Sequence, residues 1–487
     1  MVKRAVEDGE ANGIALKKGE RPVKTQDEDE MGEFEDDYED EYESEEEIFE
    51  AGVDGRPDAD GEAERKDAMD LDKQTFIPGL HKLQEGESLS PDTTAYEMMH
   101  SLSTKWPCLS FDIVKDNLGD NRKSYPATVY VVSGTQAAKE KEEQNELLVM
   151  KFSGLSRMDR DRDADSDEES DEDENAEPIL ESKSIPLHST TNRIRAHQCP
   201  QNNSSQPPTT YTATMLEKEP FLLIHNITPH LSAFDHPGST ITQHQFEPIY
   251  DPDVHRAEGY AIDWSPLAPA GKLLSGDNYG KIFLTTCGND GKWYTDSKPF
   301  TGHQSSVEDI KWSPNEKNVF ASASSDGTVK IWDIRSKSKR PMLSISVSKE
   351  HVNVLTWSHL QPHLLATGDD NGVWAVWNLK HWKEHAKDPS NPEPNASASF
   401  NFHKKQVTSI EWHPTDDSIV AVATADDTLT LWDLSVELDD EESRYTADVQ
   451  GVPPQLLFVH YTKEVKELHW HPQIPGCVID TGAGGLE

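Results

Sequence analysis

Five segments of the chain share one pattern, in which a short alternating run of apolar residues ends in tryptophan and Ser or His follows directly. The tryptophans are spaced by 48, 45, 55 and 58 residues. A recurring strand pattern at roughly this period, about 40 to 45 residues, is typical of β-propeller blades, which hide their sheet edges by closing into a ring. The five residues are Trp264, Trp312, Trp357, Trp412 and Trp470.

Each repeat also contains the signals of a strand hairpin. A second tryptophan stands 20 residues after three of the five, at Trp332, Trp377 and Trp432, and Leu284 takes that place in the first repeat. Between the two tryptophans lie an alternating apolar run and a turn such as Asp326-Gly327, a composition that favours a tight β-hairpin. Each repeat therefore predicts four short antiparallel strands.

Strand-like runs before the first clear repeat predict two more blades. They are WPCLSFDIV, ATVYVVSG and ELLVMKFSG between residues 105 and 155, then NRIRA, YTATML and FLLIHNI up to residue 227. The expected fold is all-β, a seven-bladed propeller over residues 105 to 487. Twenty residues after Trp470 would be position 490, so the last strand of the final blade is expected to be absent, or replaced by a strand near Trp106 to Val114.

Other segments lack the strand pattern. Residues 1 to 75 show almost no apolar periodicity and predict a disordered acidic tail. Residues 76 to 104 are expected to form a linker and a short helix over 92 to 104, with Asp92 as its N-cap. An acidic disordered insertion is predicted over about 156 to 184, and a Pro/Ser/Asn loop over 383 to 399.

The net charge of -44 is concentrated in three runs, residues 27 to 50, 159 to 177 and 437 to 442, which together account for about 31 of the net negative charges. Such a field attracts Lys/Arg-rich proteins and repels phosphates, so the expected partner is a basic protein rather than nucleic acid.

The cysteine and hydropathy patterns indicate the kind of cellular compartment in which the chain is expected. The four cysteines form no close pair, no secretory signal begins the sequence, and no apolar run approaches 18 residues. A reducing compartment and no membrane span are therefore expected. The cysteines are Cys108, Cys199, Cys287 and Cys477.

One segment, His381 to His385, matches the H-x-x-E-H pattern of a zinc-peptidase class. That chemistry requires a helix and a third acidic ligand, whereas here the motif follows a predicted strand and enters a Pro-rich loop. A surface connector is the preferred interpretation. The chain also lacks a phosphate-binding loop, a nucleophile elbow and a Cys-x-x-Cys motif. We therefore expect no enzyme activity, cofactor or metal.

A polar set in the fourth blade resembles a catalytic triad. In propellers of this kind the same positions join loop, turn and strand through buried hydrogen bonds, and a fully satisfied network of that sort stabilises a blade. The sixth blade has Val422 where the hydroxyl is expected, which favours structure over catalysis. The predicted network is His303, Ser322, Asp326 and Trp332.

Binding residues are expected where the innermost strands begin, at the narrow end of the ring. The residue four before each first tryptophan stands there, and Glu258 lies two residues before the first of them. Carboxylates and an aromatic face in this position can bind an Arg or Lys side chain. The residues are Tyr260, Glu308, Asn353, Thr408 and Lys466.

Four local motifs resemble the histone-binding branch of WD-repeat proteins. They are Glu258-Gly259-Tyr260, Val307-Glu308-Asp309, Asn192-Arg193-Ile194-Arg195 and Trp106-Pro107-Cys108-Leu109. The resemblance implies that Glu258, Tyr260, Glu308, Asn353 and Arg193 bind a basic peptide, and that a histone helix packs beside the N-terminal helix. The sequence departs from the family at residues 404 to 406, where Lys-Lys-Gln stands in place of acidic residues.

A closer resemblance covers the acidic N-terminus, the acidic insertion and the segment TFIPGLHKLQEGESLSPDTTAYEMMHSLSTKWPCLSFD. This combination is similar to the glutamate-rich WD-repeat family, called regulators of ribosome biosynthesis in yeasts. The family implies a dedicated chaperone that shields large-subunit ribosomal protein L three and delivers it to early 60S pre-ribosomes. The chain itself is expected to be a monomer. It also implies a nuclear and nucleolar location with a cytoplasmic pool. A nuclear histone chaperone and a scaffold or substrate-receptor propeller remain alternatives.

Overall fold

A computed structural model describes residues 76, 89, 92–158, 177–200, 208–288, 290–388, 390, 394–436, 452–483 and 485–487. The predicted disordered tail over 1 to 75, most of the acidic insertion and the acidic run 437 to 442 lie outside the described residues.

The strands form seven antiparallel sheets that follow one another along the chain. The innermost strand of each sheet contacts the innermost strand of the next, and β25 contacts β1, which closes the ring. The predicted seven-bladed WD-repeat β-propeller is therefore confirmed.

Blade one contains β1 Cys108–Val114, β2 Ala127–Thr135, β3 Glu146–Leu155 and β4 Ile179–Pro186. Blade two contains β5 Thr191–Cys199, β6 Thr209–Leu216 and β7 Leu222–Asn226.

The remaining strands belong to blades three to seven. Blade three contains β8 Ala261–Trp264, β9 Lys272–Gly276, β10 Lys281–Cys287, β11 Trp293–Thr295 and β12 Phe300–Thr301. Blade four contains β13 Val307–Trp312, β14 Val319–Ser324, β15 Thr328–Asp333 and β16 Leu343–Ser346. Blade five contains β17 Val352–Trp357, β18 Leu364–Asp369, β19 Trp374–Asn378 and β20 Ala398–Phe400. Blade six contains β21 Val407–Trp412, β22 Ile419–Thr424, β23 Thr428–Asp433 and β24 Leu456–Tyr461. Blade seven contains β25 Glu467–Trp470, β26 Val478–Gly482 and β27 Gly485–Leu486.

Each sheet is packed on both faces by its neighbours. All six residues of β14 are buried, so this strand lacks the alternation of a half-exposed strand. Phe320 stacks on Trp332 within the blade, with ring centroids 5.8 Å apart. The repeated tryptophans thus fill the space between adjacent blades, which is why they recur in the sequence.

At several junctions a carboxylate in the innermost strand of one blade accepts a backbone N–H from the next blade. Asp263 accepts from Trp312 at 2.7 Å, Asp309 from Leu355 at 3.0 Å, and Glu467 from Phe111 at 2.9 Å. Because a buried backbone donor without a partner is costly, these bonds hold neighbouring blades in one relative register.

The ring closes between blade seven and the segment before blade one. Leu102 donates its N–H to the Leu486 carbonyl at 2.8 Å, and the Leu486 N–H donates back at 3.0 Å. The alternative that a strand over Trp106 to Val114 replaces the last strand of blade seven is wrong, because Cys108–Val114 is the innermost strand of blade one and pairs with β2.

Two other predicted boundaries differ from those in the structure. The helix expected over 92 to 104 is a single 3-10 turn, Thr93–Ala95. The Tyr96 hydroxyl lies 2.7 Å from His460 Nδ1, and together with the Leu102 bridge this holds the segment along blades six and seven. The insertion expected up to residue 184 ends earlier, because β4 begins at Ile179 and pairs with β3 along its whole length.

Among the described residues, two α-helices stand outside the sheets, α1 Thr228–Asp235 and α2 Leu379–Lys387. Further 3-10 turns are Lys139–Gln144 and Gln243–Phe246. Helix α2 lies where a loop was predicted. The Asn378 side chain caps it by accepting the Lys380 N–H at 3.0 Å, and Trp382 is fully buried. In the described part of the chain, neither helix has the length and apolar character needed to cross a bilayer.

Candidate partner-binding site

The predicted binding residues lie at the end of the ring where the innermost strands begin. Glu258 and Tyr260 precede β8, Glu308 is the second residue of β13, and Asn353 is the second residue of β17. All four are partly exposed. With Asp370, which follows β18, they form the surface that we call the mouth.

A β-bulge explains why these side chains reach the mouth. In β13 the pairing register shifts between Val307 and Asp309, so Glu308 is an extra residue opposite the neighbouring strand. The same shift occurs around Asn353 in β17 and around Thr408 in β21. A bulge turns its extra residue away from the regular alternation, and here it presents one side chain per blade at the ring end.

Tyr260 lies between the carboxylates of the mouth. Burial raises the pKa of its hydroxyl, and the nearby Glu258 and Glu308 carboxylates raise it further, while Arg193 has a smaller opposite effect. The Tyr260 ring therefore remains neutral at physiological pH, with two anionic groups close to it. An ammonium or guanidinium group placed here would meet both an aromatic face and carboxylate oxygens.

Glu308 is partly desolvated. Burial raises the pKa of its carboxyl group, whereas a hydrogen bond from Ser306 and the charges of His351 and Arg193 lower it. The Ser306 hydroxyl oxygen also lies 2.8 Å from Asn278 Oδ1, and this contact fixes the loop next to Glu308. Because removing a carboxylate from water is unfavourable, a cationic partner would stabilise Glu308 in its charged form.

Asp370 is a mouth carboxylate that sequence reasoning missed. It accepts a hydrogen bond from Asn353 Nδ2 at 2.8 Å and lies 3.3 Å from His351 Nδ1. The signal for it was present in the turn Asp369-Asp370-Asn371-Gly372, which connects two strands at the same end as the mouth. Asn353 therefore positions a carboxylate beside the ring opening.

Arg193 does not join the mouth side chains. It donates to Glu467 Oε1 at 2.9 Å, and its side chain is only 16% exposed. The bulge of β5 lies between Thr191 and Arg193, so the extra residue is Asn192, which donates to Glu258 Oε2 at 3.1 Å. Asn192 therefore occupies in blade two the position that Glu308 occupies in blade four.

The side of the ring formed by blades six and seven has a different character. Thr408 donates to the Val465 carbonyl at 3.2 Å, and Lys466 lies 3.8 Å from Glu464. Lys404 and Lys405 are exposed. The carboxylates of the mouth are thus concentrated on blades three to five.

The polar set of the fourth blade is a connected network. His303 lies 3.0 Å from Asp326 and 2.7 Å from the Ser322 hydroxyl, and Trp332 Nε1 donates to that hydroxyl at 2.8 Å. Ser322 and Trp332 are fully buried, so no substrate can reach the hydroxyl in this conformation.

In the sixth blade, Thr430 supplies the hydroxyl that Val422 lacks. It accepts from Trp432 Nε1 at 2.8 Å and lies 3.1 Å from His403 Nε2. The hydroxyl has moved to the neighbouring strand while the hydrogen bonds are retained.

The H-x-x-E-H segment does form a helix, contrary to the sequence-based expectation. His381 is exposed on α2, while Trp382 next to it is buried. Across the residues that the structure describes, no cluster of three or more His, Cys, Asp or Glu side chains is arranged to hold a metal ion.

Comparison with known families identifies two matching sequence profiles. Residues 86–156 match the family of the histone-binding protein RBBP4 and its counterpart in the CAF1 complex. Residues 295–333 and 395–433 match the WD domain, G-beta repeat. The two WD-domain matches fall mainly on blades four and six, where the His, Asp and Trp network is most complete.

Several known proteins are similar along most of their length. The ribosome assembly protein rrb1 of Schizosaccharomyces pombe is 44% identical over all of this chain and 98% of its own. Glutamate-rich WD repeat-containing protein 1 of Dictyostelium discoideum is 39% identical over 95% of this chain and 91% of its own. Protein HEAT STRESS TOLERANT DWD 1 of Arabidopsis thaliana is 38% identical over 87% and 92%. The chain belongs to the glutamate-rich WD-repeat family that these proteins represent.

Proposed function

We propose that the protein is a ribosome-assembly chaperone that binds a basic ribosomal protein through the mouth and is not an enzyme. The observation that carries this proposal is the set of three carboxylates, Glu258, Glu308 and Asp370, around the half-buried Tyr260. Their hydrogen-bond partners are Asn192, Ser306 and Asn353 with His351. In the described part of the chain, no Lys or Arg forms an ion pair with any of them.

A Lys/Arg-rich segment supplies the missing cations. Charge-assisted hydrogen bonds to carboxylates are about twice as strong as neutral ones, and the Tyr260 ring adds a cation–π contact of about 0.5 to 2 kcal/mol. The acidic runs of the chain add a long-range, salt-sensitive attraction that accelerates capture. The mouth therefore provides specificity, and the acidic runs provide shielding of the basic partner.

The finer identity of the partner rests on the family. The S. pombe relative is named a ribosome assembly protein, and the resemblance implies large-subunit ribosomal protein L three as cargo. We propose that this chain shields L three, transfers it to early 60S pre-ribosomes, and acts in the nucleus and nucleolus with a cytoplasmic pool. Release follows when ribosomal RNA offers a denser array of anions.

Titration calorimetry with purified L three tests this proposal. The double variant Glu258→Lys with Glu308→Lys is expected to lose at least roughly 30-fold in affinity, since removing one partner of a desolvated charge pair costs about 2 to 5 kcal/mol. The matched control is Glu181→Lys with Glu247→Lys, which reverses two exposed carboxylates away from the mouth. Equal affinity of the two double variants, with unchanged melting temperatures, would place the binding site elsewhere.

A histone complex is the second candidate, because residues 86–156 match the histone-binding family profile. The same calorimetry with an H3–H4 complex distinguishes the two. Tighter binding of H3–H4 than of L three would favour the histone chaperone, and the departure at Lys404 and Lys405 favours the ribosomal protein.

A further inference from the structure

The loops at the opposite end of blades four and five carry charge of the opposite sign. The segments 313–318, 334–342 and 379–388 together contain eight Lys or Arg and three Asp or Glu, within a chain whose net charge is -44. These loops and helix α2 follow the far ends of β13, β15 and β19. We call this region the cationic surface.

Strand pairing fixes its position relative to the mouth. Val307 pairs with Ser324 at the mouth end of blade four, and Val319 pairs with Asp333 at the other end. A strand of six residues spans about 20 Å, which exceeds two Debye lengths at physiological salt. The field of the mouth carboxylates is therefore largely screened at the cationic surface.

Three segments form one surface because they are in contact. Lys383 on α2 lies 4.0 Å from Glu316 in the loop after β13. Trp382 packs in the same core cluster as Leu343, which directly follows the loop after β15. The helix thus joins blade five to both loops of blade four.

The carboxylates next to this surface already have partners. Arg335 pairs with Asp333 at 2.6 Å, and Lys339 with Asp296 at 2.9 Å. Among the described residues, no carboxylate pairs with the remaining four lysines, all of which are exposed. These are Lys317, Lys337, Lys380 and Lys387.

We propose that the cationic surface binds the phosphodiester backbone of RNA. The choice of RNA over an acidic protein rests on the proposed function, since a chaperone that delivers a ribosomal protein must approach a phosphate-covered particle. Lysine heads on flexible stems suit phosphate contacts that carry no base information. Although net charge predicts repulsion of nucleic acid, a local surface beyond screening distance from the mouth carboxylates can still bind it.

Placement at the far end has a mechanistic consequence. RNA on the cationic surface does not compete with a basic segment in the mouth, so the chain can contact pre-ribosomal RNA while its cargo is still bound. The surface then acts as a docking site that precedes release.

Fluorescence anisotropy with the full-length chain and a labelled oligo(U) RNA of about 20 nucleotides tests this inference. The expected binding weakens with salt, with a slope of about -2 to -3 in log–log form for four phosphate contacts. The variant with Lys317, Lys337, Lys380 and Lys387 all changed to Gln is expected to lose at least tenfold in affinity at about 50 mM salt.

The matched control changes Lys404, Lys405, Lys463 and Lys466 to Gln, because these four exposed lysines lie at the mouth end. It carries the same charge change and is expected to retain RNA binding. Equal losses in both variants, or no RNA binding by the unaltered chain, would overturn the inference. So would binding of polyglutamate in preference to RNA, which would assign the surface to acidic peptides.

Binding of L three to the same variants separates this inference from the proposed function. The variant of the cationic surface is expected to bind L three within twofold of the unaltered chain. The control variant removes four positive charges at the mouth end and is expected to bind L three at least as tightly as the unaltered chain does. If L three fails to bind the unaltered chain while RNA binds as expected, the proposed function is wrong and the RNA surface stands.

Discussion

The Glu467 carboxylate accepts a hydrogen bond from Arg195 Nη2 at 2.6 Å, and both side chains are buried. Glu467 lies in blade seven and Arg195 in blade two, so this pair spans the point at which the ring closes. The same carboxylate accepts from the Ser110 hydroxyl at 2.6 Å and from the Phe111 N–H at 2.9 Å. One acidic residue thus connects three blades.

We expect Glu467→Gln to destabilise the propeller by about 3 to 5 kcal/mol, because it leaves buried Arg195 without its counter-charge. Urea unfolding measured by tryptophan fluorescence gives this difference. The control Glu464→Gln removes an exposed carboxylate three residues earlier and is expected to cost about 0 to 1 kcal/mol. Equal stability of the two variants would show that the ring does not depend on this pair.

His469 gives the ring closure a pH dependence. Burial alone would lower the pKa of its imidazole, but the carboxylates of Glu411 and Glu467 raise it to about 9. Since the folded-state pKa lies above the unfolded value of about 6.5, the stabilisation is complete below that value and is lost as pH rises through about 9. We expect the free energy of unfolding to fall by about 1 to 3 kcal/mol between about pH 7 and pH 9.

His469→Gln provides the comparison, since Gln does not titrate. The variant is expected to be less stable at about pH 7 and to lose most of the decline toward about pH 9. An identical decline in both proteins would assign the pH dependence to other groups.

The bridge between Leu102 and Leu486 leads to a third prediction. Leu102→Pro removes the N–H that donates to Leu486 at 2.8 Å, and Leu102→Ala keeps this bond while shortening the side chain. Leu102 also packs against the core of blade one. We expect both variants to melt at lower temperature, with the proline variant less stable by about a further 1 to 2 kcal/mol. Equal melting temperatures would show that the backbone pairing contributes nothing.

The blades were predictable because their signal is local and repeated. Trp312 and Trp332 have counterparts in other blades, and Asp326-Gly327 forms the expected turn with Gly327 at φ 76°. Ring closure was not predictable in the same way. Leu102 and Leu486 are far apart in sequence, and a single pair of hydrogen bonds carries no periodic signal.

The mouth was predictable only in part, because each bulge breaks the alternation on which side-chain direction depends. A shift of one residue reverses which side chain faces the opening. Glu308 and Asn353 were found because they repeat at one distance from a tryptophan. Strand β5 has no such tryptophan, so the sequence did not indicate whether Asn192 or the adjacent Arg193 is the extra residue of the bulge. Glu467 was missed although a charged residue within a buried strand is itself a signal.

The last prediction concerns Arg193, for which the family resemblance and the structure give opposite expectations. The resemblance implies that Arg193 contacts the partner. In the structure it donates to Glu467, and its charge lowers the pKa of both Tyr260 and Glu308. It therefore acts as an internal cation that partly neutralises the mouth. Arg193→Gln is expected to bind L three about two- to fivefold more tightly, since one screened charge at this range contributes about 0.5 to 1 kcal/mol. Calorimetry at low and physiological salt measures the change, and Arg193→Lys, which keeps the charge, is expected to bind as the unaltered chain does. Weaker binding of the Gln variant with an unchanged melting temperature would instead show that Arg193 contacts the cargo directly.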